Sequence, residues 1–225
     1  MYKNCIIYHN KVNYWYNIID IFVLLYNVNR DWRIMVKRII DIFLSISGLI
    51  VLSPLFLVLY LLQKLCNPGK VFFSQERIGK GGKPFMILKY RTMIEGAEDD
   101  GIPLLAEEDD ERLTPFGKWL RRHHFDELPQ LWNVLRGDMS FVGYRPERLY
   151  FISLIMETRP DYVELYKMRP GVTSIATIEN GYTNTMEKMI RRLDMDLDYM
   201  RHQSTWLDMK ILAMTFLSVF FGKRF

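Results

Sequence analysis

The segment IIDIFLSISGLIVLSPLFLVLYLL, residues 39–62, is the strongest single feature of the chain, because only Asp41 and small polar or turn residues interrupt its apolar run. As one helix it would be roughly 36 Å long, which is enough to cross a hydrocarbon core. Pro54 breaks that helix, since an interior proline removes a backbone hydrogen bond at a cost of about 3 kcal/mol. The Ser53 hydroxyl can satisfy the freed backbone, and the sequence therefore predicts a sharp bend at Ser53-Pro54.

Basic residues flank this apolar segment on both sides, with Lys37 and Arg38 before it and Lys64, Lys70 and Arg77 after it. Positive charge marks the cytosolic side of a membrane, so this symmetry favours no crossing direction. We therefore predict a re-entrant membrane helix with both ends on the cytosolic side. An ordinary transmembrane helix is the alternative.

Two further apolar segments lie towards the ends of the chain. Residues 18–28 are too short to span a bilayer and predict an amphipathic surface or packing helix. Residues 205–225 carry Asp208 and Lys210 within an apolar sequence, which predicts an amphipathic helix in the headgroup plane. No small-residue cleavage site occurs in the first 36 residues, so no removable signal peptide is expected. The predicted organisation is an N-terminal extension (1–36), a membrane helix-break-helix (37–64), a cytosolic catalytic domain (65–204) and a membrane-interface tail (205–225).

The composition describes a globular protein with apolar attachments. Of 225 residues, 49% are hydrophobic and 25% are charged, which excludes a disordered chain and a polytopic membrane protein. The basic residues are clustered, which suits phosphates or anionic lipid headgroups. No nucleic-acid partner is expected, because the chain has no zinc-finger spacing, RNP signature or long basic helix. Cys5 and Cys66 lie far apart, so no disulfide framework is predicted.

Local patterns predict the secondary structure of the catalytic domain. Residues 71–93 have β-rich flanks around three glycines, which is typical of a β-hairpin with a glycine turn. Residues 95–111 are acidic without periodicity and predict a solvated loop, with a metal cluster as the less favoured alternative. Helical patterns return over residues 113–136 and 187–202. The predicted fold class is α+β: a mostly helical small domain with a β-hairpin, a re-entrant membrane helix and interfacial amphipathic helices.

The segment RRHHFDELPQLWNVLRG, residues 121–137, allows two interpretations. In the first, Asp126 is the N-cap of a helix, Pro129 lies in its first turn and Gly137 ends it. In the second, the helix N-terminus favours bound phosphates, and Asp126 and Glu127 carry chemistry beside them. Both interpretations remain open from these residues alone.

The chemical interpretation assigns different tasks to the two carboxylates. One can attack phosphorus to form a mixed anhydride, while its neighbour holds a cation. Arg121 and Arg122, one turn upstream of Asp126, can offset the remaining phosphate charge. Mg²⁺ is the usual ion at a diphosphate, because it needs few protein carboxylates and keeps several waters. The four histidines show no zinc spacing.

Taken together, these residues resemble the bacterial sugar transferase family, also known as monotopic phosphoglycosyl transferases or polyprenyl-phosphate sugar-1-phosphate transferases, in its minimal form. The resemblance covers about residues 36–216, and its motifs occur in the family's order. The matching motifs are KRIID (37–41), the helix break Ser53-Pro54, KYRTM (89–93), DELPQL (126–131), NVLRGDMS (133–140), RPE (145–147) and RPGVT (169–173).

The resemblance implies a two-step reaction in which the residue matching Asp126 is the nucleophile and the one matching Glu127 supports Mg²⁺ binding. It implies a UDP-sugar donor, release of UMP, and a polyprenyl phosphate acceptor such as undecaprenyl phosphate. The product would start a capsule, O-antigen or glycoprotein glycan. The enzyme would work on the cytosolic face of the inner membrane, with membrane lipids and downstream glycosyltransferases as candidate partners. The implied substrate-binding residues are Arg121, Arg122, Arg145, Pro146, Arg169, Lys37 and Arg38, with headgroup anchoring as the alternative for the last two.

Several positions depart from the family pattern, among them Ala176-Thr177, which stand where an aromatic-Gln pair is common. Tyr144 replaces a proline, Arg169 replaces a lysine and Ser174 replaces a glycine. These departures leave the transferred sugar undetermined and keep two rival functions open. One is an inactive membrane-anchored homologue that acts as a scaffold for glycan-assembly enzymes, against which the intact Asp126-Glu127 pair argues. The other is a phosphohydrolase, for which a broken apolar helix would have no catalytic purpose.

Overall fold

The structure, a computed structural model, describes residues 32–97, 105, 110–181 and 183–220. The predicted helix at 18–28 and most of the acidic segment 95–111 lie outside the described residues. The chain divides into two compact units, Met1–Ile40 and Asp41–Phe225. The helices are α1 (Trp32–Val51), α2 (Ser53–Cys66), α3 (Pro115–Arg122), α4 (Gln130–Arg136), α5 (Leu149–Thr158), α6 (Ile175–Asn180), α7 (Met186–His202) and α8 (Thr205–Phe220). The strands are β1 (Phe72–Ile78), β2 (Pro84–Tyr90), β3 (Ser140–Val142) and β4 (Gly171–Thr173).

The apolar segment forms two helices, because α1 and α2 are bent by 61° at the break between them. Pro54 has no N–H for the carbonyl of Ile50, four residues earlier. The Ser53 hydroxyl donates to that carbonyl instead, at 2.7 Å, so the predicted compensation at the bend is confirmed. Within the described residues no single helix is long and apolar enough to span a membrane, whereas α1 and α2 meet that test together.

The predicted β-hairpin is confirmed. Strands β1 and β2 pair antiparallel with Phe72 opposite Tyr90 and Ile78 opposite Pro84. The connection turns through Gly81 and Gly82, whose φ angles of 72° and 70° suit glycine. The hairpin therefore needs no distant partner to set its register.

Asn133 of α4 fastens the hairpin to the segment that follows it. Its side-chain oxygen accepts from the Leu88 amide at 2.9 Å, and its side-chain nitrogen donates to the Met86 carbonyl at 2.7 Å. Asn133 is fully buried, so both bonds form away from water. This contact fixes β2 against the chain that carries Asp126.

A second, parallel sheet of β3 and β4 has no local signature in the sequence. Its backbones approach closely at Gly143 and Gly171, where an added Cβ on Gly171 would lie 2.1 Å from the Gly143 nitrogen. Asp41, the charged residue inside the apolar segment, is buried and accepts from the Ser140 hydroxyl and the Phe141 amide, both at 3.1 Å. Asp41 thereby joins the part of α1 that begins at this residue to β3.

The main core joins α5, α7 and α8, and both later helices agree with the sequence prediction. Tyr199 of α7 donates to Asp208 of α8 at 2.5 Å, and the opposite side of α8 exposes Trp206 and Phe216. One face of α8 thus packs on the domain while another presents apolar side chains. The α+β class is confirmed, and the membrane topology stays a prediction. The principal core residues of these helices are Phe151, Ile152, Ile155, Leu193, Leu197 and Ile211.

Candidate active site

Asp126 lies in a short 3₁₀ turn, Phe125–Glu127, that joins α3 to α4. The first of the two interpretations, in which Asp126 is the N-cap of a helix, is wrong, because α4 begins at Gln130 and its N-cap, Pro129, has no side-chain cap. Main-chain carbonyls of the preceding turns accept from the amides at the start of α4, as a capping side chain would. The Leu131 amide, for example, donates to the Leu128 carbonyl at 3.1 Å. Asp126 is therefore available for another task.

The elements on both sides of this turn end as the sequence predicts. Thr114 begins α3 by accepting from the Gly117 amide at 2.9 Å, with Pro115 in the first turn. Gly137 ends α4 in the left-handed region with φ of 93°. The turn itself is entered through His124, a non-glycine residue with φ of 55°. The Asp126 turn therefore lies between two helices whose outer ends are formed by Thr114 and Gly137.

Asp126 and Glu127 line a cavity of about 670 Å³. The predicted substrate residues Arg121, Arg145 and Pro146 line the same cavity. Among the lining residues that the structure describes, basic side chains outnumber acidic ones, and this excess of positive charge attracts anions. The basic lining residues are Lys70, Arg77, Lys89, Arg91, Arg112, Arg121, Arg145, Arg148 and Arg192, and the acidic ones are Glu95, Asp126, Glu127 and Glu147.

Glu127 is paired with two cations. Its Oε1 lies 2.6 Å from the Lys89 ammonium and 3.5 Å from Nη2 of Arg145. Burial alone would raise the pKa of Glu127, but the charges of Lys89 and Arg145 outweigh it and lower the pKa to about 2. Glu127 is therefore a permanent carboxylate at neutral pH.

The neighbouring carboxyl group is shifted in the opposite direction. Asp126 is only 6% exposed, and its burial raises its pKa above the ordinary value. Lys89 lowers the pKa of Asp126, and the Glu127 charge raises it again. Adjacent carboxyl groups whose pKa values are driven apart are typical of sites with divided chemical roles.

The other predicted site residues do not all line the cavity. The Arg121 Nε donates to the Thr92 hydroxyl at 3.1 Å. Arg122 and Arg169 are not among the described residues that line the cavity; Arg169 donates to the Gly137 carbonyl at 2.9 Å. Lys37 and Arg38 lie in α1 and belong to the unit Met1–Ile40, whereas the described residues that line the cavity belong to the unit Asp41–Phe225.

Sequence reasoning missed a buried ion-pair network on the cavity wall. Glu147 accepts from Arg192 at 2.6 Å and from Arg77 at 3.2 Å, and Arg192 also donates to Thr183 at 2.6 Å. Sequence reasoning also gave Lys89 no role, although alternation along β2 places Lys89 on the same face as Ile87, which also lines the cavity. Arg192 had no comparable signal, because 45 residues separate it from Glu147.

Comparison with known proteins identifies the family. The family model for bacterial sugar transferases matches residues 32–222. The chain belongs to the bacterial sugar transferase family.

Relatives within this family match most of the chain. It is 39% identical over 201 residues to the UDP-glucose:undecaprenyl-phosphate glucose-1-phosphate transferase of Escherichia coli (strain K12), covering 88% of this chain and 42% of the relative. It is 36% identical over 187 residues to the UDP-N-acetylgalactosamine-undecaprenyl-phosphate N-acetylgalactosaminephosphotransferase of Aeromonas hydrophila, covering 83% and 44%. It is 39% identical over 190 residues to the exopolysaccharide production protein PSS of Rhizobium leguminosarum bv. phaseoli, covering 82% and 95%. The chain thus spans about two fifths of the first two relatives.

Two departures from the bacterial sugar transferase pattern have structural explanations. Tyr144 is completely buried, and its hydroxyl lies 3.5 Å from the Ile78 carbonyl. Ser174 begins α6 by accepting from the Thr177 amide at 2.9 Å. Both residues therefore serve local packing or capping, and neither removes a carboxylate from the cavity.

The carboxylates of the cavity suit a Mg²⁺ ion that takes its other ligands from water and phosphate, rather than an ion held by protein alone. Among the described residues, no group of three or more His, Cys, Asp or Glu side chains is placed to hold a metal. Asp126 and Glu127 offer two adjacent carboxylates at the cavity wall. Mg²⁺ commonly binds one or two carboxylates and completes its shell with waters and substrate phosphates. Such an ion would therefore need ligands from waters or substrate phosphates in addition to the two carboxylates.

Proposed function

We propose that this chain transfers a sugar-1-phosphate from a UDP-sugar to undecaprenyl phosphate and releases UMP. The support from comparison is that relatives 36–41% identical to it are named for this class of transfer. The support from chemistry is a buried carboxyl group, Asp126, on the wall of a strongly basic cavity. This second observation carries the proposal, because it unites a nucleophile with groups that bind phosphate.

In the proposed first step, a carboxylate oxygen of Asp126 attacks the phosphorus bonded to the sugar. The bond from that phosphorus to the bridging oxygen breaks, and UMP leaves with the electron pair. Arg121 and Arg145, which line the cavity with Asp126, would stabilise the charge on the phosphate oxygens. The product is an acyl phosphate between Asp126 and the sugar phosphate.

In the second step, an oxygen of the lipid phosphate attacks the same phosphorus and releases the Asp126 carboxylate. No proton is gained or lost overall. The acceptor must reach the cavity from a membrane, and the bent pair α1 and α2 offers an apolar surface for that contact. Phe43, Ile50 and Leu65 on these helices are between 67% and 78% exposed, which is unusual for a soluble surface and favours lipid contact.

Magnesium has a limited role in this proposal. Asp126 and Glu127 would hold it together with the substrate diphosphate, and it would neutralise charge on the phosphates. Glu127 is well suited to this, because it stays ionised at neutral pH. Lys89 and Arg145, which pair with Glu127, would keep that carboxylate in place.

We also propose the cytosolic face of the inner membrane as the location, with α1–α2 re-entrant and α8 at the interface. The exposed Trp206 and Phe216 of α8 support this position. Lys37 and Arg38 would meet lipid phosphate or headgroups. A glycosyltransferase that accepts a polyprenyl diphosphate sugar must then consume the product.

The direct test supplies a panel of UDP-sugars with and without undecaprenyl phosphate to detergent-solubilised protein and follows UMP release. We expect UMP release with at least one UDP-sugar and sustained turnover only when the lipid phosphate is present. Sustained turnover without lipid would identify a phosphohydrolase instead. No UMP release with any donor would favour the scaffold function.

Replacing Lys89 by methionine is expected to lower kcat/KM at neutral pH by about tenfold or more, since a charge-assisted hydrogen bond is lost. The Lys89 ammonium lowers the pKa of both Asp126 and Glu127. Without this ammonium group, both carboxyl groups keep their protons to higher pH. The acid limb of the kcat/KM profile therefore shifts to higher pH. The measurement is kcat/KM for UMP release as a function of pH.

Two matched variants control the Lys89 experiment. Lys89→Arg keeps the positive charge and should retain most of the wild-type acid limb. Lys167→Met removes an exposed lysine that pairs with Glu164 and should leave the profile unchanged. An acid limb that stays in place in Lys89→Met would contradict the proposed electrostatic role.

A further inference from the structure

The end of α2 is joined to Arg121 on the cavity wall by a series of polar contacts through Arg91 and Thr92. We infer that Gln63 and Arg91 are positioning residues, which set the place of Arg121 relative to α2 through Thr92. The inference rests on the proposed function, because it assigns Arg121 to the donor phosphate. It adds a physical link between the apolar helix pair and the site of chemistry.

The first contact lies at the C-terminal end of α2. Gln63 is completely buried, and its side-chain nitrogen donates to the Arg91 carbonyl at 2.6 Å. Asn67 donates to the Gln63 side-chain oxygen at 3.3 Å. A buried amide at the end of an apolar helix is costly without partners. Here its nitrogen bonds the residue that follows β2, and its oxygen bonds Asn67 at the end of α2.

The second contact joins Arg91, which directly follows β2, to the chain after α2. Nη2 of Arg91 donates to the carbonyls of Asn67 and Pro68, at 2.8 and 2.7 Å. Gly69 closes this turn with φ of 109°, and an added Cβ would lie 3.2 Å from Nη1 of Arg91. The turn therefore encloses the guanidinium and resists sliding of α2 along β2.

The third contact runs from Thr92 to α3. The Thr92 carbonyl accepts from the Thr114 amide at 3.0 Å, and an added Cβ on Gly117 would lie only 1.9 Å from that carbonyl oxygen. The Thr92 hydroxyl accepts from Nε of Arg121 at 3.1 Å. Gly117 and Arg121 are one helical turn apart, so the same face of α3 meets Thr92 twice.

These contacts give Arg121 a fixed orientation. The guanidinium is planar, so holding Nε also fixes the plane in which its Nη groups donate to a phosphate. Loss of the hydrogen bond from Gln63 would let Arg91 and Thr92 move. This movement would displace Arg121 and weaken binding of the UDP-sugar. A merely structural role for Gln63 would instead weaken the enzyme whatever residue stands at 121.

A double-mutant cycle tests the link by measuring kcat/KM for the UDP-sugar with saturating lipid phosphate. Gln63→Leu keeps the size of the side chain and removes its polar atoms. We expect it to lower kcat/KM about tenfold in the wild type and less than about threefold in the Arg121→Lys background. Equal losses in both backgrounds would overturn the inference. Ser153→Ala, which removes an exposed hydrogen bond to the Tyr150 carbonyl, is the control and should lose nothing in either background.

A second cycle keeps the test decisive if Gln63→Leu does not fold. Thr92→Val removes the hydroxyl that holds Arg121 and retains the branched shape. We expect Thr92→Val to lower kcat/KM about tenfold in the wild type and less than about threefold in the Arg121→Lys background. Equal losses in the two backgrounds would again overturn the inference. Absence of UMP release by the wild-type protein would defeat the proposed function, whereas UMP release with additive cycles would defeat only this inference.

Discussion

Replacing Asp126 by asparagine is expected to lower transfer of the sugar phosphate by at least about 10³-fold. The amide has the shape of the carboxyl group, but it cannot attack phosphorus to form the acyl phosphate. The side chain is nearly buried in the cavity wall, so water has little access to replace it. Steady-state UMP release measures the loss. Intact-protein mass spectrometry measures the intermediate, with a phosphosugar adduct on the wild type in the absence of lipid and none on the variant.

Two further variants make this result specific to Asp126. Asp198→Asn alters an exposed aspartate on α7 that pairs with His202 and should leave both UMP release and the adduct intact. Glu127→Gln should reduce the rate but keep the adduct detectable, because the proposed nucleophile remains. An adduct on Asp126→Asn, or unchanged turnover, would reject Asp126 as the nucleophile.

The features that the sequence predicts correctly are those decided within a few residues. The bend at Ser53-Pro54 follows from one missing N–H and one nearby hydroxyl, which bonds the Ile50 carbonyl. The hairpin follows from glycines with positive φ between two β-rich segments. The end of α4 at Gly137 likewise follows from a glycine with positive φ. Such signals need no knowledge of the tertiary structure.

The error at Asp126 shows where local reasoning fails. The sequence around it has the composition of a helix start, but a 3₁₀ turn and main-chain acceptors occupy the place of the cap. The choice between a capping and a chemical carboxylate therefore depended on backbone geometry. The resemblance to a family assigned chemistry to Asp126 and Glu127, and the structure places both residues on the cavity wall.

The contacts that define the cavity join distant parts of the chain. Lys89 reaches Glu127 across 38 positions, and Arg192 reaches Glu147 across 45. The parallel sheet likewise pairs β3 with the distant β4, where Gly143 and Gly171 approach closely. No periodicity in a single chain specifies such pairs, so the electrostatics of the site could not be predicted in detail.

Replacing Glu147 by glutamine is expected to lower the free energy of unfolding by about 3–5 kcal/mol, because it breaks a buried ion pair from one side. The variant would leave the guanidinium groups of Arg77 and Arg192 together without the carboxylate between them. Arg192 is only 4% exposed, so water cannot compensate. Urea unfolding in detergent measures the loss. Glu164→Gln removes an exposed partner of Lys167 and should cost less than about 1 kcal/mol.

The pH dependence of this difference separates lost charge from lost packing. Burial alone would raise the pKa of Glu147, but Arg192 and Arg77 outweigh it and hold the pKa below the ordinary value of 4.5. A carboxyl group whose pKa is lower in the folded protein stabilises it fully above the unfolded pKa, and this stabilisation disappears as pH falls through the folded pKa. The difference between wild type and Glu147→Gln should therefore be constant near neutral pH and shrink below about pH 4.5. A difference that is independent of pH would show that Glu147 acts through packing rather than charge.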